Sequence, residues 1–300
     1  SEYLGRTGEN YNGFFPFFVL SDMKKRLIIA LSALFAITAV ILVSCGEYGA
    51  PKISISFDKI VHAGGELWGV DSEGTFRSFF GSNSLEGLEN CVANGYNAIE
   101  LDFNFTSDGH LVCIHDWSAE YIDTIETGTP MSYDEFMSSK IFWNFTPLDI
   151  EAVGAFMREH PEVYIVTDIK ERFSEAVDAI SAALPELKDR IVVQIYEKDD
   201  YETASNAGFT NIIFTLYRLD WQSKTDAADL VKFERSHPLI GFTFAKELCD
   251  EKNYVSRMSK AGVPLYVHTV NAPAEIQKYH AMGVYGVYTD IVSETPFSLG

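Results

Sequence analysis

From residue 59 onward the chain alternates short β-branched runs with amphipathic stretches of helical spacing. Apolar runs of this length bounded by turn residues read as buried strands, and apolar positions at three- and four-residue spacing read as helices lying on them. The pattern predicts strands over 59–63, 98–105, 163–169, 191–196, 211–217, 239–244, 264–270 and 284–289, with helices over 84–94, 148–159, 174–184, 201–206, 224–235, 250–260 and 274–282. Gly95, Gly208, Gly262 and Gly283 stand just past four of those helices, where a left-handed cap is expected. Eight strands separated by helices is the count of an α/β protein of the (β/α)8 TIM-barrel type in a single domain. A ninth strand over 110–115 follows Thr106-Ser107-Asp108-Gly109, whose Asp-Gly is a strong hairpin turn, so one strand is expected to be an addition to the barrel. A doubly wound open sheet is the competing architecture. The barrel is favoured because the chemically suggestive residues fall near strand C-terminal ends, where barrel enzymes place their sites. The stretch 116–147, with turns at Gly128, Pro130 and Pro147, is too short to suggest a cap domain.

Two of the predicted strands carry charge where a buried strand should not. Glu100-Leu101-Asp102 lies inside Ala98-Ile99-Glu100-Leu101-Asp102-Phe103, and Asp168-Ile169-Lys170 closes Val163-Tyr164-Ile165-Val166. Side chains two apart on a strand share a face, so Glu100 pairs with Asp102, and Asp168 with Lys170. Three carboxylates in one pocket are costly to bury unless a partner sits among them, and oxygen ligands suit a hard divalent cation such as Ca²⁺ or Mg²⁺. A salt bridge between Asp168 and Lys170 is the simpler alternative. His62 precedes Ala63-Gly64-Gly65 at a strand end, and His115 is followed by Asp116, which can orient its imidazole. Two histidines beside a cation suit a phosphodiester-cleaving site, in which a base activates the nucleophile and an acid protonates the leaving alkoxide.

Composition narrows the partners. The 300 residues carry a formal net charge of −20, which argues against nucleic acid, since binding a polyanion needs clustered Lys and Arg. An anionic substrate must then be held by local charge. Cys45, Cys91, Cys113 and Cys249 show neither zinc spacing nor a dense disulfide frame, and Cys91 and Cys113 fall in apolar patterns expected to bury them as free thiols.

The N-terminal part reads as a targeting segment. Met23-Lys24-Lys25-Arg26 is followed by an uncharged run from Leu27 to Val43 and then Ser44-Cys45-Gly46, the arrangement of an export signal. Leu42-Val43-Ser44-Cys45 resembles the bacterial lipobox, with Cys45 as the lipidated residue; an uncleaved signal anchor is the alternative. The expected organisation is an upstream extension at 1–22, a signal peptide or anchor at 23–44, a linker at 45–58 and the catalytic domain at 59–300, placed outside the cytoplasm and tied to a membrane. From Cys45 on, 19 basic residues face 40 acidic ones, so the domain itself is strongly acidic.

Taken together, His62-Ala63-Gly64, Asn83-Ser84-Leu85-Glu86-Gly87-Leu88, Glu100-Leu101-Asp102, Thr106-Ser107-Asp108-Gly109 and His115-Asp116 resemble the glycerophosphodiester phosphodiesterases. Asp168-Ile169-Lys170, Gln194, His268-Thr269-Val270-Asn271 and Gly286-Val287-Tyr288-Thr289-Asp290 continue the resemblance in order across residues 59–292. It implies a (β/α)8 barrel, His62 and His115 as the acid/base pair, Glu100, Asp102 and Asp168 as ligands of a divalent cation, and Lys170 as a phosphate contact. Two departures stand out. Ala63 occupies the place of a family arginine, and Asp168 that of a glutamate one methylene longer. The His-Ala-Gly-Gly start also resembles a bacterial subgroup related to phosphatidylinositol-specific phospholipase C. The expected activity is hydrolysis of glycerophosphodiesters or a similar small diester, with a phospholipase on intact lipid or a lipid-linked glycan, and a non-catalytic binding lipoprotein, as the alternatives. Trp68, Phe79, Phe80, Trp117 and Trp143, aromatics near the loops, speak for the lipid-directed reading unless they pack as core or rim.

Overall fold

A computed structural model describes residues 55–218, 226–249 and 254–292. Cys45, the expected signal or anchor at 23–44, the extension before it and most of the linker lie outside the described residues, as do the first residues of two predicted helices. Among the described residues no helix is long and apolar enough to cross a membrane.

The strands are β1 (Lys59–Val61), β2 (Leu67–Val70), β3 (Phe76–Phe79), β4 (Ala98–Phe105), β5 (Leu111–Cys113), β6 (Tyr164–Ile169), β7 (Ile191–Ile195), β8 (Asn211–Thr215), β9 (Gly241–Ala245), β10 (Leu265–His268) and β11 (Gly286–Thr289). Eight of them run parallel in the order β1-β11-β10-β9-β8-β7-β6-β4, and a pairing of Val61 with Ile99 joins β1 to β4 and closes the barrel. The ninth strand of the sequence reading is β5, which pairs antiparallel with β4 at the edge of that ring and takes no place in it. Helices at Leu85–Ala93, Ile150–Glu159, Phe173–Ala183, Asp200–Asn206, Ala227–Ser236, Tyr254–Lys260 and Pro273–Met282 follow the predicted order. Their starts are chemically marked: the Ser84 and Asp149 side chains accept from Gly87 N and Ala152 N, each satisfying an amide left open by the first turn.

Strand alternation separates two environments. Outward-pointing Ile99, Leu101, Phe103, Ile165, Val193, Ile212 and Phe214 pack beneath the helices in the main core. Inward-pointing Ile60, Ala98, Val166, Val192, Ile213, Tyr266 and Tyr288 fill the lower part of the lumen. Tyr266 is fully buried there because its neighbours lack side chains: a Cβ on Gly241 or Gly286 would lie 2.8 or 2.9 Å from its ring. The floor of the barrel is therefore apolar and filled, and any polar inward residue must lie above it.

One feature escaped the sequence pattern. The stretch 116–147 is not a bare loop: with the β2–β3 hairpin it builds a second hydrophobic cluster of Leu67, Phe79, Trp117, Ile122, Phe136, Ile141 and Phe145 and carries its own short helix, Tyr133–Ser138. This annex sits beyond β1 and β5 and packs Phe79 and Trp117 away, while Phe80 and Trp143 stay exposed. Its strands are four residues long and its helix six, too short for either period to stand out in sequence.

Candidate active site

The second inward layer is polar. Continuing the alternation upward from Ala98, Val166 and Val192 brings Glu100 and Asp102, Asp168 and Lys170, and Gln194 and Tyr196 onto the lumen face at the C-terminal ends of β4, β6 and β7. Asp102 and Asp168 are direct partners in the β4–β6 register. Carboxylate oxygens of Glu100, Asp102 and Asp168, all buried, lie within 4.8 Å of one another. The trio expected from sequence is thus assembled, and the shorter Asp168 side chain reaches it.

Each carboxylate is held by donors from a different element. Glu100 Oε2 accepts from the Ala63 backbone N–H at 2.7 Å. Asp102 Oδ2 accepts from Asn83 Nδ2 at 2.8 Å, and the Asp102 N–H donates back to Asn83 Oδ1 at 2.9 Å. Asp168 accepts from the Tyr196 hydroxyl and from Lys170 Nζ. Lys170 Nζ stands 2.8 Å from both Asp102 Oδ1 and Asp168 Oδ2, so the salt bridge entertained from sequence is present and spans two of the three acids. Even so, Glu100 Oε1 is buried without a hydrogen-bond partner, and Asp102 Oδ1, buried as well, is met by the Lys170 ammonium. An orphaned hard oxygen among three converging carboxylates that share a single ammonium fits a divalent cation with oxygen ligands, because leaving such an atom desolvated and unpaired is otherwise expensive.

Both histidines follow strands that pair with β4, the strand of Glu100 and Asp102. His62 begins a short 3-10 turn (His62–Gly64) directly after β1, and its Nδ1 lies 2.8 Å from Asp290 Oδ1. Asp290 is in turn fixed by Asn271, whose Nδ2 donates to its Oδ2 at 2.7 Å. Gly65 lets the turn pack closely, since a Cβ there would stand 2.3 Å from Val292. His115 lies two residues past β5, with Nδ1 2.7 Å from Asp116 Oδ2 and its side chain 45% exposed. The Tyr121 ring of the annex lies 6.4 Å from its imidazole.

The electrostatics follow from crowding. Burial drives the Glu100 carboxyl up to about 8, with the Asp102 charge acting in the same direction and His62 opposing it. Burial also works against ionised Asp102, but the Lys170 ammonium overcomes it and holds that carboxyl below its ordinary range. For His62, burial disfavours protonation, yet the Asp290 hydrogen bond and the charges of Glu100 and Asp102 prevail and carry it to about 9. His268, half-buried at the end of β10 with Thr243 Oγ1 2.9 Å from its Nδ1, is pushed down to about 4 by desolvation and by His62. These directions give a stability prediction. In the cation-free protein both Glu100 and His62 bind protons more tightly folded than unfolded, so folding stability falls as pH rises toward 8. A cation takes over the role of the Glu100 proton, so added Mg²⁺ or Ca²⁺ raises Tm more at pH 8 than at pH 5. Thermal unfolding with and without cation at the two pH values checks this, and equal gains would refute it.

Asn83, Tyr196, Asp290 and His268 are site residues to which sequence reasoning assigned no role. Asn83, Asp290 and His268 stood inside the resembling motifs, and Asn83 has a φ of 47°, a backbone state that asparagine tolerates better than most residues. Tyr196 carried a weaker signal, its two-residue spacing from Gln194 at the end of β7.

A polar lumen top with a cation-ready acidic trio, and two carboxylate-oriented histidines after strands that pair with β4, is an enzyme site on a (β/α)8 barrel. The family model for the glycerophosphoryl diester phosphodiesterase family matches residues 72–156 and 151–294, well over half of the chain. The chain belongs to that family of hydrolases. Solved structures agree on the fold. A putative glycerophosphoryl diester phosphodiesterase from Silicibacter pomeroyi superposes with a TM-score of 0.61 at 16% identity, over 81% of this chain and 91% of that one. The Thermotoga maritima glycerophosphodiester phosphodiesterase gives 0.58 at 17% identity, over 79% and 96%. An Oleispira antarctica phosphodiesterase in complex with the product sn-glycerol-3-phosphate gives 0.58 at 16% identity, over 78% and 92%. No curated protein matches the chain.

Proposed function

We propose that this protein is a divalent-cation-dependent phosphodiesterase that hydrolyses glycerophosphodiesters to glycerol phosphate and an alcohol. The observation that supports the reading is the buried acidic trio with the orphaned Glu100 oxygen, at the top of a barrel of this family. Glu100, Asp102 and Asp168 would hold the cation, whose chemistry is to neutralise phosphoryl oxygens and acidify a bound hydroxyl. Lys170, already aligned on two of the acids, supplies a point charge toward a nonbridging oxygen. His62, kept toward its protonated form by Asp290, donates the proton to the leaving alkoxide, and His115, oriented by Asp116 and open to solvent, accepts the proton of the nucleophile. The expected result is chelator-reversible hydrolysis of glycerophosphocholine well above that of vesicle phosphatidylcholine. Preference for the vesicle would move the assignment to a phospholipase, and no hydrolysis of either to a binding protein.

We further propose that the domain is held at a membrane outside the cytoplasm through lipidated Cys45, a reading supported by the basic and apolar order of residues 23–45. Labelled fatty acid then enters the wild-type chain and not a Cys45→Ala variant; equal labelling of both would exclude it.

A further inference from the structure

The charges of the site are nearly all matched before substrate arrives. Lys170 is shared by Asp102 and Asp168, His62 is paired with Asp290, and His115 with Asp116. Three carboxylates and one ammonium leave a net charge of two negatives, which one divalent cation cancels. A phosphodiester brings a further negative charge into a protein whose own net charge is −20. Beyond the cation and Lys170, a further group to balance it would be cationic, near the trio and without a carboxylate partner. The β1 turn does not provide one, since Ala63 has no side-chain donor and its N–H is used by Glu100.

Arg218 meets those conditions. It stands three residues past β8, the strand beside β7, on the rim above the trio. Its guanidinium carbon lies 3.8 Å from the centre of the Tyr196 ring and 5.6 Å from that of Tyr217, and its Nη2 donates to the Lys170 carbonyl at 3.3 Å. Tyr196 is the residue whose hydroxyl donates to Asp168, so the guanidinium rests on the back of a side chain that itself touches the acidic trio. Tyr217 meets Tyr196 edge to face at 5.8 Å and completes the aromatic seat. Stacking fixes the guanidinium by its face; one donor goes to the Lys170 carbonyl and another to Tyr217, and the remaining N–H groups of the five-donor fork are the ones that can grip phosphate. Among the described residues no carboxylate pairs with Arg218, whereas Arg77, Arg158, Arg172 and Arg257 each have one.

We propose that Arg218 is the substrate-binding arginine of this site, reaching the phosphodiester anion from the β8 rim beside Lys170. The assignment rests on the phosphodiesterase reading for its substrate, but its test can be read without turnover. The probe is inorganic phosphate, titrated calorimetrically into the Mg²⁺-loaded protein, alongside KM for glycerophosphocholine. Arg218→Met keeps an apolar stem on Tyr196 and removes charge and donors. It is expected to weaken phosphate binding and raise KM, each by about ten- to a hundredfold, with a smaller change in kcat and an unchanged Mg²⁺ affinity. Arg218→Lys restores part of the loss, since it returns the charge without the fork. Unchanged phosphate affinity in Arg218→Met overturns the proposal. So does a parallel loss of Mg²⁺ affinity, which would make Arg218 a prop for Tyr196 and Asp168. Arg218-dependent phosphate binding in a wild-type protein that turns over no glycerophosphodiester would uphold Arg218 and sink the activity.

Discussion

Alanine at His62 or at His115 lowers kcat/KM for glycerophosphocholine by about 10²- to 10⁴-fold, the range that a positioned acid or base contributes. Both substitutions leave the cation site standing, because Glu100 is held by the backbone N–H of residue 63 and Asp102 by Asn83, neither of which involves an imidazole. Mg²⁺ affinity measured in the same variants is therefore retained, which separates lost proton transfer from a collapsed site. The two histidines differ in how they are poised. His62 is tied to Asp290, and Asp290→Asn is expected to lower its proton affinity and draw the alkaline limb of the pH–rate profile to lower pH. His115 leans on Asp116 alone and is open to solvent, so Asp116→Asn affects rate without moving that limb. Turnover unchanged in both histidine variants would remove the acid/base assignment.

Glu100→Gln abolishes most cation binding, with an affinity loss of roughly a hundredfold or more, because affinity at an oxygen site is tuned by the number of ligand charges. The same variant is not expected to be unstable. A glutamine oxygen still accepts from the Ala63 N–H, and the neutral amide spares the fold a buried negative charge that burial and Asp102 already disfavour. In cation-free buffer at pH 8, Glu100→Gln then melts at or above the wild-type Tm, while the stabilisation that Mg²⁺ gives to wild type disappears. Asp102→Asn behaves differently: it strips Lys170 of one of two partners and disturbs the reciprocal bonds with Asn83, so it weakens both cation binding and stability. A Glu100→Gln protein that keeps the full Mg²⁺-dependent rise in Tm would show that the trio is not the cation site. The pairing of a stability gain with a functional loss is the usual signature of charges assembled for chemistry rather than for folding.

The barrel was legible because its strands are buried on both faces and its helices on one, which leaves continuous apolar runs and a helical stripe that local periodicity can detect. The trio was legible for the converse reason: charged residues inside such a run, as in Ala98-Ile99-Glu100-Leu101-Asp102-Phe103, contradict their surroundings and demand a partner. The annex of residues 67–79 and 116–147 was not, since its elements span a turn or two and cohere only through contacts between distant segments, such as Phe79 with Phe142 and Phe145. Nor were the supporting residues. Asn83 reaches Asp102, Asp290 reaches His62 and Tyr196 reaches Asp168 across separations of 19, 228 and 28 positions, and nothing in their local spacing announces a partner.

The sequence by itself determined the fold class, the nine strands of the main sheet and the face on which Glu100, Asp102, Asp168 and Lys170 lie, because each of these depends on residue type and a period of two or three to four. Only the tertiary structure decided which strand stays outside the barrel, which donors hold each carboxylate, that Lys170 is committed to two acids, and that Arg218 stands unpaired on Tyr196 among the described residues. Those facts depend on register and closure. Pairing Val61 with Ile99 and Asp102 with Asp168 brings chain segments together that no local pattern relates, and the charge balance of the site exists only once they have met.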